Sequence, residues 1–307
     1  MGLRGKTFLR SLLIGAQIVI SKAFRGRNVD VMKEAVGFIN SQGVSTIRQV
    51  FYHLVSLNLI PKTESAYQML DRRINRLIQL GVLNADQIAD CTNVYGTRQS
   101  NNIKDYLLDA LENYRSNWNF EFEHYVEIWI EKEALANIVY PIADEYGVYV
   151  NPCRGVSKIR QVYSFEERRQ LHGNRSGVIL YFGDLDPTGI IIDDVIADQF
   201  EQHGLPCPNV VRVALNYNQI KELNLPASYL KANPKDPRYK MYVEAYGEYI
   251  YELDTLTPIQ LQSLARGAIE TYRPLDKIRE LEAKDIEERK RAMELIQNAF
   301  EGINDEL

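Results

Sequence analysis

Apolar and polar positions alternate with the period of an α-helix over most of the first 80 residues. The pattern predicts four helices, at residues 8–24, 29–42, 45–57 and 65–80. Gly43 and Gly81 follow two of them, as glycine commonly does just past a helix end. We expect Ser45 to cap the third helix, and Ser65 with Gln68 to form a capping box for the fourth.

From about residue 121 the pattern changes to short apolar strands that alternate with helices. Strands are predicted at residues 125–130, 148–151, 178–182 and 209–215, and helices at 134–146 and 190–203. Such alternation is typical of a mostly parallel sheet with helices on both faces. We therefore predict an α/β protein with a helix-rich N-terminal domain, residues 1–120, and a sheet domain, residues 121–307. The second domain ends in a charged helical extension over residues 276–300.

Composition narrows the class of protein. The chain has 307 residues, of which 45% are hydrophobic and 25% charged, as in an ordinary globular protein of about two domains. This excludes a collagen-like chain and a small disulfide scaffold. Cys91, Cys153 and Cys207 lie far apart without a C-x-x-C pair, which indicates a reducing compartment and no zinc knuckle. No apolar run reaches the roughly 18 residues that span a bilayer, so we expect a cytoplasmic protein without a membrane partner.

Charge is distributed unevenly along the chain. Residues 1–120 carry 15 basic and 9 acidic side chains, whereas the remainder carries 21 basic and 32 acidic ones. A basic half joined to an acidic half suggests nucleic-acid binding on one side and metal binding on the other. The alternative is two solvated surfaces of different bias.

A basic helix follows a tight turn in the N-terminal domain. The turn at residues 58–62 joins two short predicted helices, as in a helix-turn-helix or winged-helix unit. Arg72 and Arg76 on the second helix share a face, and Arg73 lies beside them. We expect this face to bind the phosphates or a groove of double-stranded DNA. A solvated helix face is the alternative.

Carboxylates follow two of the predicted strands. Glu131 comes directly after the strand at 125–130, and Asp184 and Asp186 come directly after the strand at 178–182. Ligands of open α/β sheets bind at the carboxyl ends of the strands. Clustered carboxylate oxygens suit Mg²⁺, and Mn²⁺ is an alternative. Asp is also an ordinary turn residue after a strand, which leaves a structural role open.

These acidic residues lie in a recognisable pattern. Glu131-Lys132 followed by Asp184-x-Asp186-Pro187-x-Gly189 resembles a Toprim domain, the Rossmann-like fold of topoisomerases, primases and some nucleases. The resemblance covers about residues 122–270. It implies that Glu131 is a general acid/base or a metal ligand, and that Asp184 and Asp186 bind the metal.

Two basic residues near this pattern are further candidates. Lys132 adjoins Glu131, and Arg154 lies in the run Arg154-Gly155-Val156-Ser157, where related proteins have a glycine turn after the second strand. We expect both to contact DNA. Solvated side chains are the alternative.

A second motif lies in the N-terminal domain. The run Arg48-Gln49-Val50-Phe51-Tyr52 resembles the R-x-x-Y-Y motif in the winged-helix domain of the topoisomerase VI A subunit and its meiotic double-strand-break relatives. In that family the second aromatic is the nucleophile, and this position is Tyr52. The first is Phe51 here. The family order is a winged helix followed by Toprim, so the resemblance covers most of the chain. Residues 45–83 and 247–256 look more like free-standing prokaryotic relatives than like the topoisomerase itself.

The position of Tyr52 on its predicted helix fits this role. Phe51 lies on the apolar stripe, whereas Tyr52 lies off it, four residues after Arg48. A phenol has a pKa of about 10 and needs assistance as a nucleophile, which Arg48 could supply. The alternative is a tyrosine that packs on a neighbouring domain.

The resemblance implies a DNA-cleaving enzyme. Tyr52 would attack a phosphodiester in a Mg²⁺-dependent step and form a phosphotyrosyl link. The resemblance also implies a homodimer. No Walker-type phosphate loop is found, so strand passage would require a separate ATPase subunit, as the resemblance implies. One alternative is a Toprim nuclease that activates water, as in plasmid or phage defence, with Tyr52 only structural. Another is a DNA-binding component without catalysis.

Overall fold

Four parallel strands, in the spatial order β2-β1-β3-β4, organise the larger part of the molecule. The computed structural model describes residues 15–89, 99–153 and 159–304. The strands are β1 (His124–Ile130), β2 (Tyr149–Pro152), β3 (Ser176–Phe182) and β4 (Asn209–Ala214). The main helices are α1 (residues 15–23), α2 (Arg27–Gln42), α3 (Ile47–Ser56), α4 (Glu64–Gln79), α5 (Ile103–Glu112), α6 (Glu133–Glu145), α7 (Ile159–Leu171), α8 (Ile192–Gln202), α9 (Tyr217–Glu222), α10 (Tyr239–Tyr246), α11 (Pro258–Glu270) and α12 (Leu275–Asn304).

The central strands are buried on both faces. In β1, Val126 and Ile128 belong to the core that α6 and α11 complete, whereas Trp129 belongs to the core under α7 and α8. This explains why β1 and β3 read as nearly continuous apolar runs rather than alternating ones. The prediction of an α/β protein with a parallel sheet covered on both faces is confirmed.

The N-terminal helices have a separate core. Helices α2, α3 and α4 pack around buried side chains that include Ile39, Phe51 and Ile74. The predicted caps are shifted. Thr46 rather than Ser45 caps α3, and Thr63 rather than Ser65 caps α4.

A winged-helix unit has three helices, and α2, α3 and α4 match that number. Ser45 forms a single β-bridge with Ile88 at the point where such a unit has its small sheet. Residues 90–98, in which a wing would continue, lie outside the described part of the chain. The winged-helix and Toprim assignments stay predictions.

The segment just before β1 packs with the sheet rather than with the N-terminal helices. Helix α5 lies along α12, and Trp118 donates from Nε1 to Asp285 of α12 at 2.8 Å. Trp118 and Phe122 also belong to the core of the sheet. Residues 103–120 therefore pack against the sheet domain, although we assigned them to the N-terminal domain from the sequence.

The predicted C-terminal helix is present as α12, which has 30 residues. Among the residues that the structure describes, no helix combines the length and the apolar character needed to cross a membrane.

Candidate functional site: a carboxylate cleft

Two of the predicted carboxylates meet at the carboxyl edge of the sheet. The Glu131 amide donates to the Phe182 carbonyl at 2.9 Å, which extends the pairing of β1 with β3 by one residue. Asp184 follows β3, and its amide donates to Glu131 Oε2 at 2.9 Å. Asp186 lies on the same turn, close enough for its charge to raise the pKa of Glu131. The structure therefore places Glu131 next to Asp184 at the carboxyl ends of β1 and β3.

Glycine allows this turn to close tightly. A Cβ on Gly189 would overlap the Asp184 carbonyl oxygen, so a larger residue cannot occupy the position without moving the backbone. The Gly189 amide instead donates to Asp186 Oδ1. The carbonyl of Gly189 accepts a hydrogen bond from the Arg212 guanidinium.

Two further acids, which the sequence did not reveal, complete the cluster. An antiparallel bridge between Leu185 and Tyr251 brings the late segment alongside the Asp184 turn. The segment continues into Glu252 and Asp254, both buried, and the Leu253 amide donates to Asp184 Oδ1 at 2.7 Å. Residues 247–256 had stood out only as similar to the free-standing relatives. Their contact with Asp184 spans 69 positions, which no local pattern records.

Lys132 lies among these acids. Its Nζ is 2.7 Å from Asp254 Oδ2, 3.1 Å from Asp184 Oδ1 and 3.7 Å from Glu252 Oε2. Burial alone would lower the pKa of Lys132, but the three carboxylates together raise it well above its usual value. Lys132 therefore carries a positive charge that is held inside the cluster rather than on an open surface.

The strand-end acids hold protons more tightly than free carboxyls do. Burial raises the pKa of Asp184 to about 7, Lys132 opposes this, and Glu131 adds to it. Burial also raises the pKa of Glu131, against the hydrogen bond from the Asp184 amide. Carboxyls with raised pKa values can exchange protons near neutral pH, as acid–base chemistry requires.

The start of α3 forms the opposite wall of the cleft. Thr46 Oγ1 donates to Asp254 Oδ1 at 3.0 Å, and Arg48 Nη1 lies 2.8 Å from Glu252 Oε2. The Arg48 guanidinium also stacks on the Tyr67 ring, 4.8 Å from its centre. The cleft between this wall and the acids has a volume of about 660 Å³.

Tyr52 is buried, which corrects the expectation that it lies off the packed side of its helix. Only 2% of the residue is exposed, because Tyr52 belongs to the N-terminal core, and the segments at 223–226 and 255–260 lie around the same side of α3. Its hydroxyl makes no close hydrogen bond within the described residues, although Ser228 lies near enough to lower the pKa of the phenol slightly. Burial raises the pKa of the phenol well above its usual value, and Glu252 raises it further. Arg48, expected to assist Tyr52, is paired with Glu252 instead.

The arginines of α4 that we predicted to contact DNA differ in exposure. Arg72 and Arg76 are exposed on α4, and Arg73 is half-buried beside them. Within the described residues, none of the three forms an ion pair. Arg154 lies outside the described residues.

The donor set fits a hard cation in part. Glu131, Asp184 and Asp186 each keep one carboxylate oxygen that accepts no hydrogen bond within the described residues. Within residues 15–89, 99–153 and 159–304, however, no three acidic, histidine or cysteine side chains lie together as a complete metal-binding group. The donors thus suit a Mg²⁺ ion that one or two carboxylates hold and that keeps several waters.

The function of this protein has to be inferred from the geometry of the cleft. When the chain is compared with protein-family models, with curated proteins and with solved structures, nothing matches it.

Proposed function

We propose that the protein cleaves the phosphodiester backbone of DNA by metal-assisted hydrolysis at the carboxylate cleft. The observation that carries this proposal is the hydrogen bond from the Asp184 amide to Glu131, at the carboxyl ends of two adjacent parallel strands. That edge is where open α/β sheets bind their ligands. Both residues line the same cleft as two cations.

The side chains in the cleft have complementary tasks. Arg48 and Lys132 offer positive charge to a phosphate group, and both are held in place by Glu252. Glu131 Oε1 accepts no hydrogen bond within the described residues, so it can take a proton from an attacking water. Mg²⁺ held by one or two of the carboxylates of Glu131, Asp184 and Asp186 would stabilise negative charge on the phosphate.

Because Tyr52 is buried, we propose hydrolysis in preference to nucleophilic attack by Tyr52. A phenol that is 2% exposed and has a raised pKa is a poor nucleophile. Transesterification by Tyr52 is nevertheless the second candidate, because its buried hydroxyl has no partner within the described residues and the same helix carries Arg48 into the cleft. That route would require α3 to separate from the segment at 252–256, in a homodimer with a separate ATPase subunit.

A plasmid cleavage assay tests the proposal and separates the two routes. Supercoiled DNA is incubated with the protein and Mg²⁺ or Mn²⁺, and the products are denatured and examined for free ends and for covalently attached protein. We expect nicked or linear DNA with free 5′-phosphate ends. Asp184→Ala should abolish cleavage and Tyr52→Phe should retain it.

The control variant is Glu248→Gln, which removes an exposed carboxylate that pairs only with Lys231 within the described residues. It should cleave as the parent does. Covalent adducts that disappear in Tyr52→Phe would establish the tyrosine route instead. Equal cleavage by the parent and by Asp184→Ala would refute a reaction at the carboxylate cleft.

A further inference from the structure

A second cavity lies beside the amino ends of β1 and β2, at the opposite end of the strands from the carboxylate cleft. It has a volume of about 410 Å³ and is formed by the segment at 115–119 before β1, the start of β2, and the ends of α6 and α7. All strands are parallel, so the amino ends of β1 and β2 are a full strand length away from Glu131 and Asp184. The cavity is therefore separate from the carboxylate cleft.

The Arg115 guanidinium lines this cavity, and the Arg273 guanidinium lies behind its wall. Gly147 also lines the cavity, and a Cβ at that position would lie 3.9 Å from Arg115 Nη1 and 3.8 Å from Arg273 Nη1. Arg273 is fully buried, and its bonds go to uncharged oxygens, those of the Tyr146 and Gly147 carbonyls and of the Asn119 side chain. Its Nε forms no hydrogen bond within the described residues.

The charge of Arg273 is thus left without a carboxylate partner among the described residues. Burial lowers the pKa of Arg273 to about 10, so the side chain is still charged at neutral pH. Arg115 has one acidic neighbour, Asp144, at 3.5 Å; that carboxylate also lines the cavity and is about half exposed, so it offsets one of the two positive charges. This side of the cavity therefore carries excess positive charge, which favours an anion.

Aromatic rings form the other walls. Arg115 stacks on the Trp118 ring at 4.6 Å. Tyr140 and Tyr149 also line the cavity and are 56% and 45% exposed, so their rings are open to a ligand. His172 is fixed between Asn117 Oδ1 at 2.9 Å and the Tyr149 hydroxyl at 3.2 Å. Rings of this kind bind flat aromatic groups by stacking.

We infer that this cavity binds a nucleotide, with the phosphate next to Arg115, in front of the buried charge of Arg273, and the base against Tyr140 and Tyr149. The volume lies within the range of small-molecule sites, about 300–1,000 Å³. The ligand is either a free mononucleotide or the terminal nucleotide of a DNA strand, which share this chemistry.

Calorimetric titration tests the inference. The full chain, as the Asp184→Ala variant in EDTA to silence the carboxylate cleft, is titrated with deoxyadenosine monophosphate, with deoxyadenosine and with inorganic phosphate. We expect the monophosphate to bind at least tenfold more tightly than either part alone. Tyr140→Ala and Arg115→Gln should each weaken it about tenfold, the loss expected for one stacking or charged contact.

Tyr163→Ala is the matched control, because Tyr163 is an equally exposed tyrosine outside the cavity. It should leave the affinity unchanged, and thermal unfolding should show that all variants are folded. Competition by a 5′-phosphorylated oligonucleotide would identify a strand terminus as the ligand, and its absence a free nucleotide. The inference is overturned if the monophosphate does not bind, if phosphate alone binds as tightly, or if the two cavity variants bind like the parent.

Discussion

The Tyr52 hydroxyl is a buried polar group without a partner in the described part of the chain. Such a group costs about 1–3 kcal/mol of stability relative to a satisfied one. Tyr242 is equally buried, but its hydroxyl donates to the Leu185 carbonyl at 2.8 Å. The backbone carbonyl of Tyr249 lies 3.0 Å from the same hydroxyl. The two tyrosines therefore differ in hydrogen bonding rather than in burial.

This difference predicts opposite effects of the same substitution. Tyr52→Phe should raise the free energy of unfolding by up to about 1 kcal/mol, because it removes an unsatisfied hydroxyl. Tyr242→Phe should lower it by about 1–2 kcal/mol, because two carbonyls lose a partner. Urea denaturation of both variants measures the two values. A clear loss of stability in Tyr52→Phe would mean that its hydroxyl is bonded in the folded protein.

At the scale of elements, one capping box both begins α3 and fastens it to the sheet part. Gln49 Oε1 accepts from the Thr46 amide, while Gln49 Nε2 donates to the Leu256 carbonyl at 2.9 Å. Helix α11 begins with the same type of box, formed by Thr257 and Gln260. Gln49 is buried and Gln260 is half-exposed.

Replacing glutamine by glutamate separates the two functions of the box. Gln49→Glu keeps the oxygen that caps α3 but loses the donor to Leu256, so it should lower the free energy of unfolding by about 3 kcal/mol. Gln260→Glu makes the same change in a cap that is more exposed to solvent, and it should change the free energy of unfolding by about 0.5 kcal/mol or less. Thermal or urea unfolding compares the variants. Equal effects would show that the bond to Leu256 does not fasten α3.

The same elements explain how far the sequence could be interpreted. The strands and the acids that follow them were predictable, because a buried parallel strand leaves a continuous apolar run and its end is marked by polar residues. Glu252 and Asp254 were not, because a bridge between Leu185 and Tyr251 places them at the site. Burial of Tyr52 was missed for a related reason. The packed part of α3 is wider than its apolar periodicity indicates: Tyr52 joins the N-terminal core, and residues about 200 positions away also contact the helix, as Thr46 contacts Asp254 across 208 positions.

For the molecule as a whole, the uneven charge of the sequence has a structural counterpart. The cleft is lined by acids that include Glu131, Asp184, Glu252 and Asp254, and Lys132 and Arg48 are already paired with acids of this group. The cations without ion pairs in the described N-terminal residues include Arg72 and Arg76, which lie on the exposed side of α4. A DNA duplex would therefore gain affinity from α4, while the cleft would contact only the backbone linkage to be cut.

Removing the two exposed arginines tests this division. Arg72→Ala/Arg76→Ala should weaken binding to a labelled duplex by tenfold or more at low salt. The slope of log affinity against log salt should fall by about 2, because each lost phosphate contact removes roughly 0.9. Fluorescence anisotropy at several salt concentrations measures both quantities.

The matched control removes two positive charges from α12, where Arg279 and Lys284 are also exposed. Arg279→Ala/Lys284→Ala changes the net charge of the protein by the same amount, so it separates a local contact from a general electrostatic effect. It should leave the slope unchanged. If both double variants lose affinity equally, net charge rather than α4 attracts the DNA; if neither does, the arginine face of α4 is merely solvated.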